Sequence, residues 1–230
     1  MKIPARLAKR LKCSPAHNKA VRAACGRFAD WMQPERPTFF PEYTNHGIGH
    51  VARVLAAADE LMTDSAVDAL TPEEVAALVV AVVLHDCGMH LTPDGLQALV
   101  DADCDWKPVA AFPDVPWSEA WEQFQREVTR WPEHKWREVL GDSAEPVDLR
   151  CADLNDLRDN EKKTIGDFLR RHHRVLCHHI ALYGVPGPVT ADRRIKLDVF
   201  PDGFADIVGV ISRSHGMDLR PCVDYVRDKR

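Results

Sequence analysis

Apolar positions recur along this chain at helical spacings, and no segment shows the two-residue alternation of a half-buried strand. The densest segment is Val75 to His90, VAALVVAVVLHDCGMH, in which ten consecutive apolar residues deliver His85 and Asp86 side by side, with Gly88 close behind. Thr71 and Pro72 supply a cap followed by a proline in the first turn, and Glu73 and Glu74 suit the positive end of a helix dipole. The run therefore predicts a helix buried on all sides rather than a strand. Such a helix should not end in two ionisable groups unless something satisfies them, because a buried unpaired charge costs on the order of several kcal/mol. A divalent metal would satisfy both, since imidazole nitrogen and carboxylate oxygen are ordinary ligands of Zn, Mn, Fe or Ni. The plainer alternative is an exposed helix end, with Asp86 in water and His85 on a carbonyl.

The rest of the chain predicts helices around that one. Residues 1–33 hold a basic amphipathic start and then AHNKAVRAACGRFADWM, helical in period. PERPTFFPEYTNHG is a connecting loop. Asn45 or Thr44 can then cap a helix HGIGHVARVLAAADELM, with Val51, Val54, Leu55, Ala58 and Leu61 as its inward stripe and His46, His50 and Arg53 on one side. Residues 91–104 predict a short helix behind Thr92 and Pro93. Residues 105–150 change character: five of the six tryptophans fall there (106, 117, 121, 131 and 136), broken up by prolines. This predicts an inserted helical cap with WSEAWEQFQREV as its clearest helix. Its tryptophans either glue the insertion to the body, or one or two of them wall a substrate cleft. A long helix is expected from Asp153 to about Leu182, ended by Gly184, Pro186, Gly187 and Pro188. Residues 189–201 suit a strand or a loop equally. GFADIVGVISR, residues 203–213, predicts a last apolar helix leading to Ser214, His215 and Gly216, followed by a polar end, PCVDYVRDKR. The expectation is an all-α bundle forming a single domain over residues 1–230.

Composition narrows the function classes. With 230 residues and 45% hydrophobic content the chain can bury one sizeable core, and a net charge of −5 with mixed signs gives no basic field for tracking nucleic acid. Seven scattered cysteines without a CxxC pair read as reduced thiols rather than a disulfide framework or zinc finger. No run reaches membrane-spanning length and the basic N-terminus lacks an apolar core, so a soluble cytoplasmic protein is expected.

Eleven histidines are many for this length, and they gather in knots: His46 and His50, His85 and His90, and the quartet His172, His173, His178 and His179, with His215 alone near the end. A lone histidine on an apolar face is usually a hydrogen-bonded core residue. Four helices each carrying one, around an adjacent His-Asp pair, point instead to a common centre.

The order HGIGHVARVL, LHDCGMH, RRHHRVLCHHI and ISRSHG resembles the HD superfamily of metal-dependent phosphohydrolases over roughly residues 40–217. More narrowly it resembles HD domains that precede a chaperone- or histidine-kinase-type ATPase domain. The resemblance implies an all-α bundle with one or two transition-metal ions at its centre. By motif, His50 takes the place of the first histidine, His85 and Asp86 the name-giving pair, His173 the histidine of a later helix, and His215 a further ligand of the multi-metal branch. One departure stands out: the superfamily closes its site with a late aspartate, whereas Asp218 and Asp224 fit that place poorly and Asp153 lies too early. Either the chain is cut before that helix or the site is incomplete.

What this implies is attack of metal-activated water on a nucleotide or other phosphate ester, with Asp86 as bridging carboxylate and Arg53 as catalytic counter-charge. Arg53, Arg170, Arg171 and His46 would bind the substrate phosphate. The alternative is a catalytically silent metal-binding module that controls an ATPase partner in cis or in trans. A di-iron oxygenase is a third, minor possibility.

Overall fold

The apolar run forms α5 (Pro72–Leu84) in this computed structural model, entered through a capping box in which the Thr71 hydroxyl accepts from Glu74 N–H and the Glu74 carboxylate accepts from Thr71 N–H. Val75, Val79, Val80, Val83 and Leu84 are all buried, and burial of such side chains stabilises the fold by roughly 1.5–3 kcal/mol each. The structure describes residues 1–32, 37–42, 46–104, 106–142, 145–187, 197, 200 and 203–228. The expected cap at Thr44 or Asn45 and nearly all of 189–201 lie outside them.

Around α5 pack α1 (Ala5–Leu11), α2 (Pro15–Trp31), α3 (Ile48–Leu61) and, later in the chain, α10 (Phe204–Arg213). A short α4 (Asp64–Ala69), capped by Thr63, links α3 to α5, and Arg6 of α1 ties down this corner through Asp59 and Asp64. Beyond α5 the chain makes a 3-10 turn, Cys87–His90, and then α6 (Pro93–Val100), capped by Thr92. The cap holds α7 (Trp117–Val128) and α8 (Glu133–Leu140), which lean on the long α9 (Asp159–Tyr183). No strand occurs among the described residues, and one buried cluster runs from Leu7 to Val208. The all-α bundle expected from the sequence is what the chain forms. No single described helix is long and apolar enough to cross a membrane.

Three local expectations differ from the structure. Leu61 is 87% exposed, so the inward stripe of α3 stops at Leu55, with Val54 and Ala58 half-buried. The long helix begins at Asp159 rather than Asp153, because the Asp153 carboxylate accepts from Asn155 N–H and folds the chain into a local turn. The polar end of the chain is helical: α11 (Leu219–Asp228) begins where the Asp218 carboxylate accepts from Arg220 N–H, and Tyr225 donates to Asp206 of α10.

Two glycines set the spacing on which the centre depends. A Cβ on Gly88 would stand 3.1 Å from the His173 carbonyl, so its absence lets the turn after Asp86 press against α9. A Cβ on Gly209 would collide with the His178 ring, so glycine allows α10 its close crossing of α9.

Candidate metal centre

Four helices bring their histidines to the C-terminal end of α5. His85 is the last-turn cap of α5, Asp86 starts the 3-10 turn, His50 lies in the first turn of α3, His173 in α9, and His215 in the 3-10 turn Ser214–Gly216 that ends α10. Asp86 is buried, and its two oxygens face different partners. Oδ2 lies 3.1 Å from His46 Nδ1, 3.3 Å from His50 Nε2 and 3.0 Å from His85 Nε2, while the His50 and His85 Nε2 atoms are 3.3 Å apart. Oδ1 lies 3.9 Å from His173 Nε2, which in turn is 2.8 Å from His215 Nε2.

The far side of each ring decides what those close approaches mean. His85 Nδ1 is 2.8 Å from the Val82 carbonyl, His173 Nδ1 is 2.7 Å from that of Arg170, and His215 Nδ1 is 2.5 Å from that of Ser212. A carbonyl only accepts, so each Nδ1 carries the hydrogen and each neutral Nε2 presents a lone pair. Lone pairs of His173 and His215 thus confront one another, and that of His85 confronts an anionic oxygen. Such a convergence needs a positive charge between its members, either a proton or a metal ion. Metal bonds of about 2.0–2.2 Å set ligand atoms about 2.8–3.6 Å apart, the range in which the Oδ2 group falls. The Nδ1-to-carbonyl bonds are also how metal-ligating histidines are held in orientation.

The protonation equilibria show the same demand. Burial alone would raise the Asp86 carboxyl, but hydrogen bonds and charge from His85 and His46 outweigh it and hold Asp86 well below the usual carboxylate range. His85 is correspondingly raised: burial opposes its charge, and the bond to Asp86 overcomes that. His50 and His173 are lowered, first by burial and then, among the causes, by neighbouring imidazoles, which keeps their nitrogens free to ligate at neutral pH. Without a metal, a proton on His85 balances Asp86.

The residues therefore fit a metal ion in two groups that share Asp86: His46, His50 and Asp86, with His85 alongside, and Asp86, His173 and His215. Among the described residues no carboxylate other than Asp86 joins either group.

The remaining site candidates are placed less uniformly. His46 precedes α3 rather than starting it, yet its ring is 5.0 Å from that of His50, and it stands with the candidate ligands instead of further out with the substrate. Arg53 is exposed one turn along α3 from His50, and no carboxylate among the described residues pairs with it. Arg170 and Arg171 turn their guanidiniums to carboxylates: both meet the buried Asp167, and Arg171 also meets Glu127 of the cap. One contact has no sequence signal: the Cys177 thiol donates to the His85 carbonyl at 3.0 Å and satisfies the end of α5 beneath the site. The tryptophans of the cap are buried, Trp117 and Trp121 on Phe168 of α9 and Trp131 on Trp136 within the cap, so they glue it together and to the body.

Searches with the chain against curated proteins and solved structures find no significant match. The family model described as HD-CE matches residues 40–229, a span that contains every member of the histidine–aspartate cluster. By that match, and with its His-Asp pair at the meeting point of four helices, the chain belongs to the HD-CE family of HD-type domains.

Proposed function

We propose that this protein is a metal-dependent phosphohydrolase or phosphodiesterase acting on a nucleotide or other phosphate ester. The observation that carries this reading is the division of Asp86, with Oδ2 turned to His46, His50 and His85 and Oδ1 turned to His173, which meets His215. The two groups, with Asp86 common to both, would hold one or two divalent ions such as Mn, Fe, Ni or Zn. Bound there, such ions would supply Lewis acidity and an activated water.

The chain's own residues do the rest. His85, His173 and His215 are fixed in one tautomer by backbone carbonyls, so their nitrogens stay oriented without reorganisation. Arg53, exposed beside His50 with its charge uncompensated among the described residues, is the available counter-charge for a phosphate oxygen. Arg170 and Arg171, engaged by Asp167 and Glu127, are less suited to that role. The test is hydrolysis of bis-p-nitrophenyl phosphate by protein reconstituted with each metal. Metal-dependent turnover lost in Asp86→Ala supports the reading, and loss of more than tenfold in Arg53→Ala places that side chain on the phosphate. Absence of turnover with every metal and every phosphate ester tried contradicts it.

A second reading, a metal-binding regulatory module for an ATPase partner, is favoured by one observation: no carboxylate besides Asp86 joins the cluster among the described residues. It predicts bound metal without turnover, and a change in the partner's ATPase rate when the metal is removed.

A further inference from the structure

Helix α9 lines a cavity as well as the metal centre. His173 turns toward Asp86, whereas Arg171, lying about 200° around the helix from it, shares the other side with Arg174 and Val175. That side lines a cavity of about 270 Å³ between α9, the end of α10 and the start of the cap, walled by His172, Arg213, Asp114 and Trp117 as well. The tryptophans are mostly glue, but Trp117 also forms part of this wall.

The charges in the cavity do not cancel. Arg213 is buried and gives both terminal nitrogens to Asp114, at 2.6 and 2.5 Å, so that pair is neutral. Arg171 is held by Glu127 at 2.8 Å and Asp167 at 2.7 Å. Arg174 is half-buried and meets no carboxylate among the described residues. Beside it His172 packs against Trp117 and Phe168, and its ring nitrogens have no hydrogen-bond partner among the described residues. One uncompensated guanidinium and one open imidazole thus share a cavity whose other walls are largely apolar. The chemistry that completes it is an oxyanion on a compact apolar body.

We propose that this cavity is a second ligand site, separate from the metal centre, that binds a small organic oxyanion through Arg174 and His172, with the apolar part of the ligand against Trp117 and Val175. The site has a route to the centre. A Cβ on Gly216 would stand 3.2 Å from Arg174 Cδ and 3.4 Å from its Nη1, so Arg174 lies against the turn that carries His215. An anion that draws Arg174 into the cavity shifts a side chain packed directly on that turn.

Isothermal titration of the full chain, with and without chelator, tests this with phenyl phosphate, benzoate and inorganic phosphate as probes. The two aromatic probes differ in headgroup and so separate a phosphate ester from a carboxylate ligand, while inorganic phosphate lacks the apolar body. The expected result is saturable binding of at least one aromatic probe, tighter than that of inorganic phosphate. It should persist with chelator and in Asp86→Asn, and weaken by about tenfold or more in Arg174→Gln. His172→Phe keeps the ring packing, guards against a folding artefact and should weaken binding as well. Two results overturn the proposal: no saturable binding of either aromatic probe, or binding that is lost with chelator and in Asp86→Asn but unaffected at Arg174. The second would place the anion at the metal centre and leave the hydrolase reading standing.

Discussion

Two groups of histidines on the same helix behave in opposite ways. His173 of α9 has its outer nitrogen fixed by a carbonyl and its inner nitrogen aimed at His215, with no donor between them. Two turns along, His179 accepts from Trp117 Nε1–H at 2.8 Å and His178 Nε2 meets Asp206, which also receives Tyr225, so one nitrogen of each ring is a polar joint of a buried seam, while His178 Nδ1 and His179 Nε2 meet no partner among the described residues. Burial and histidine content do not separate the two groups, since His178 and His179 are the more deeply buried. The direction of the lone pairs does. Where partners are fixed, the histidine belongs to the fold; where lone pairs converge on each other and on a carboxylate, a cation belongs between them.

The sharpest way to break this contrast is Asp86→Ala. Removing the one oxygen donor shared by both groups should lower metal affinity by at least about 100-fold, read by competition with a chelating dye. The metal-free protein should lose stability as well, because Asp86 pairs with His85 there. His173→Ala should halve the metal content and leave the melting temperature of the metal-free protein nearly unchanged, whereas a structural role for His173 would lower it.

The other half of the contrast is tested by acid. Burial, and then the charge of His178, lowers His179 to about 4 from an ordinary 6.5. A histidine depressed in the folded state favours folding above its unfolded pKa, and that contribution is lost as pH falls through the folded value. Stability should therefore drop between pH 6.5 and 4, by about 3 kcal/mol from this group. His179→Gln should flatten that limb in denaturant titrations, and an unchanged limb would mean that another group carries it. The smallest effect belongs to Leu61→Ser: at 87% exposure it should alter stability by no more than about 0.5 kcal/mol, although periodicity alone puts Leu61 in the core.

Helices with a long apolar period, α5 and α7 above all, were legible in the sequence because pattern and caps agree. Helix α11 was not, since its few apolar positions do not stand out and its anchor, Tyr225 on Asp206, is a tertiary contact. The start of α9 was misplaced because Asp153 closes a turn through its own side chain. At the centre, the resemblance to the HD superfamily pointed to His50, His85, Asp86, His173 and His215, and the geometry brings these together. It did not give the role of His46, whose nearness to Asp86 depends on the chain's path before α3. Nor did it show that Arg171 lies on the far side of α9 from His173, because adjacency in sequence hides a rotation of about 100° per residue.

The central claim is that the converging nitrogens and Asp86 hold a transition metal. Elemental analysis of the purified full chain, before and after reconstitution with Mn, Fe, Ni and Zn, tests it most directly. The account predicts one to two equivalents of metal per chain, retained through desalting and lost in Asp86→Ala. No stoichiometric metal under any of these conditions would contradict it and leave His85 and Asp86 as a proton-balanced ion pair.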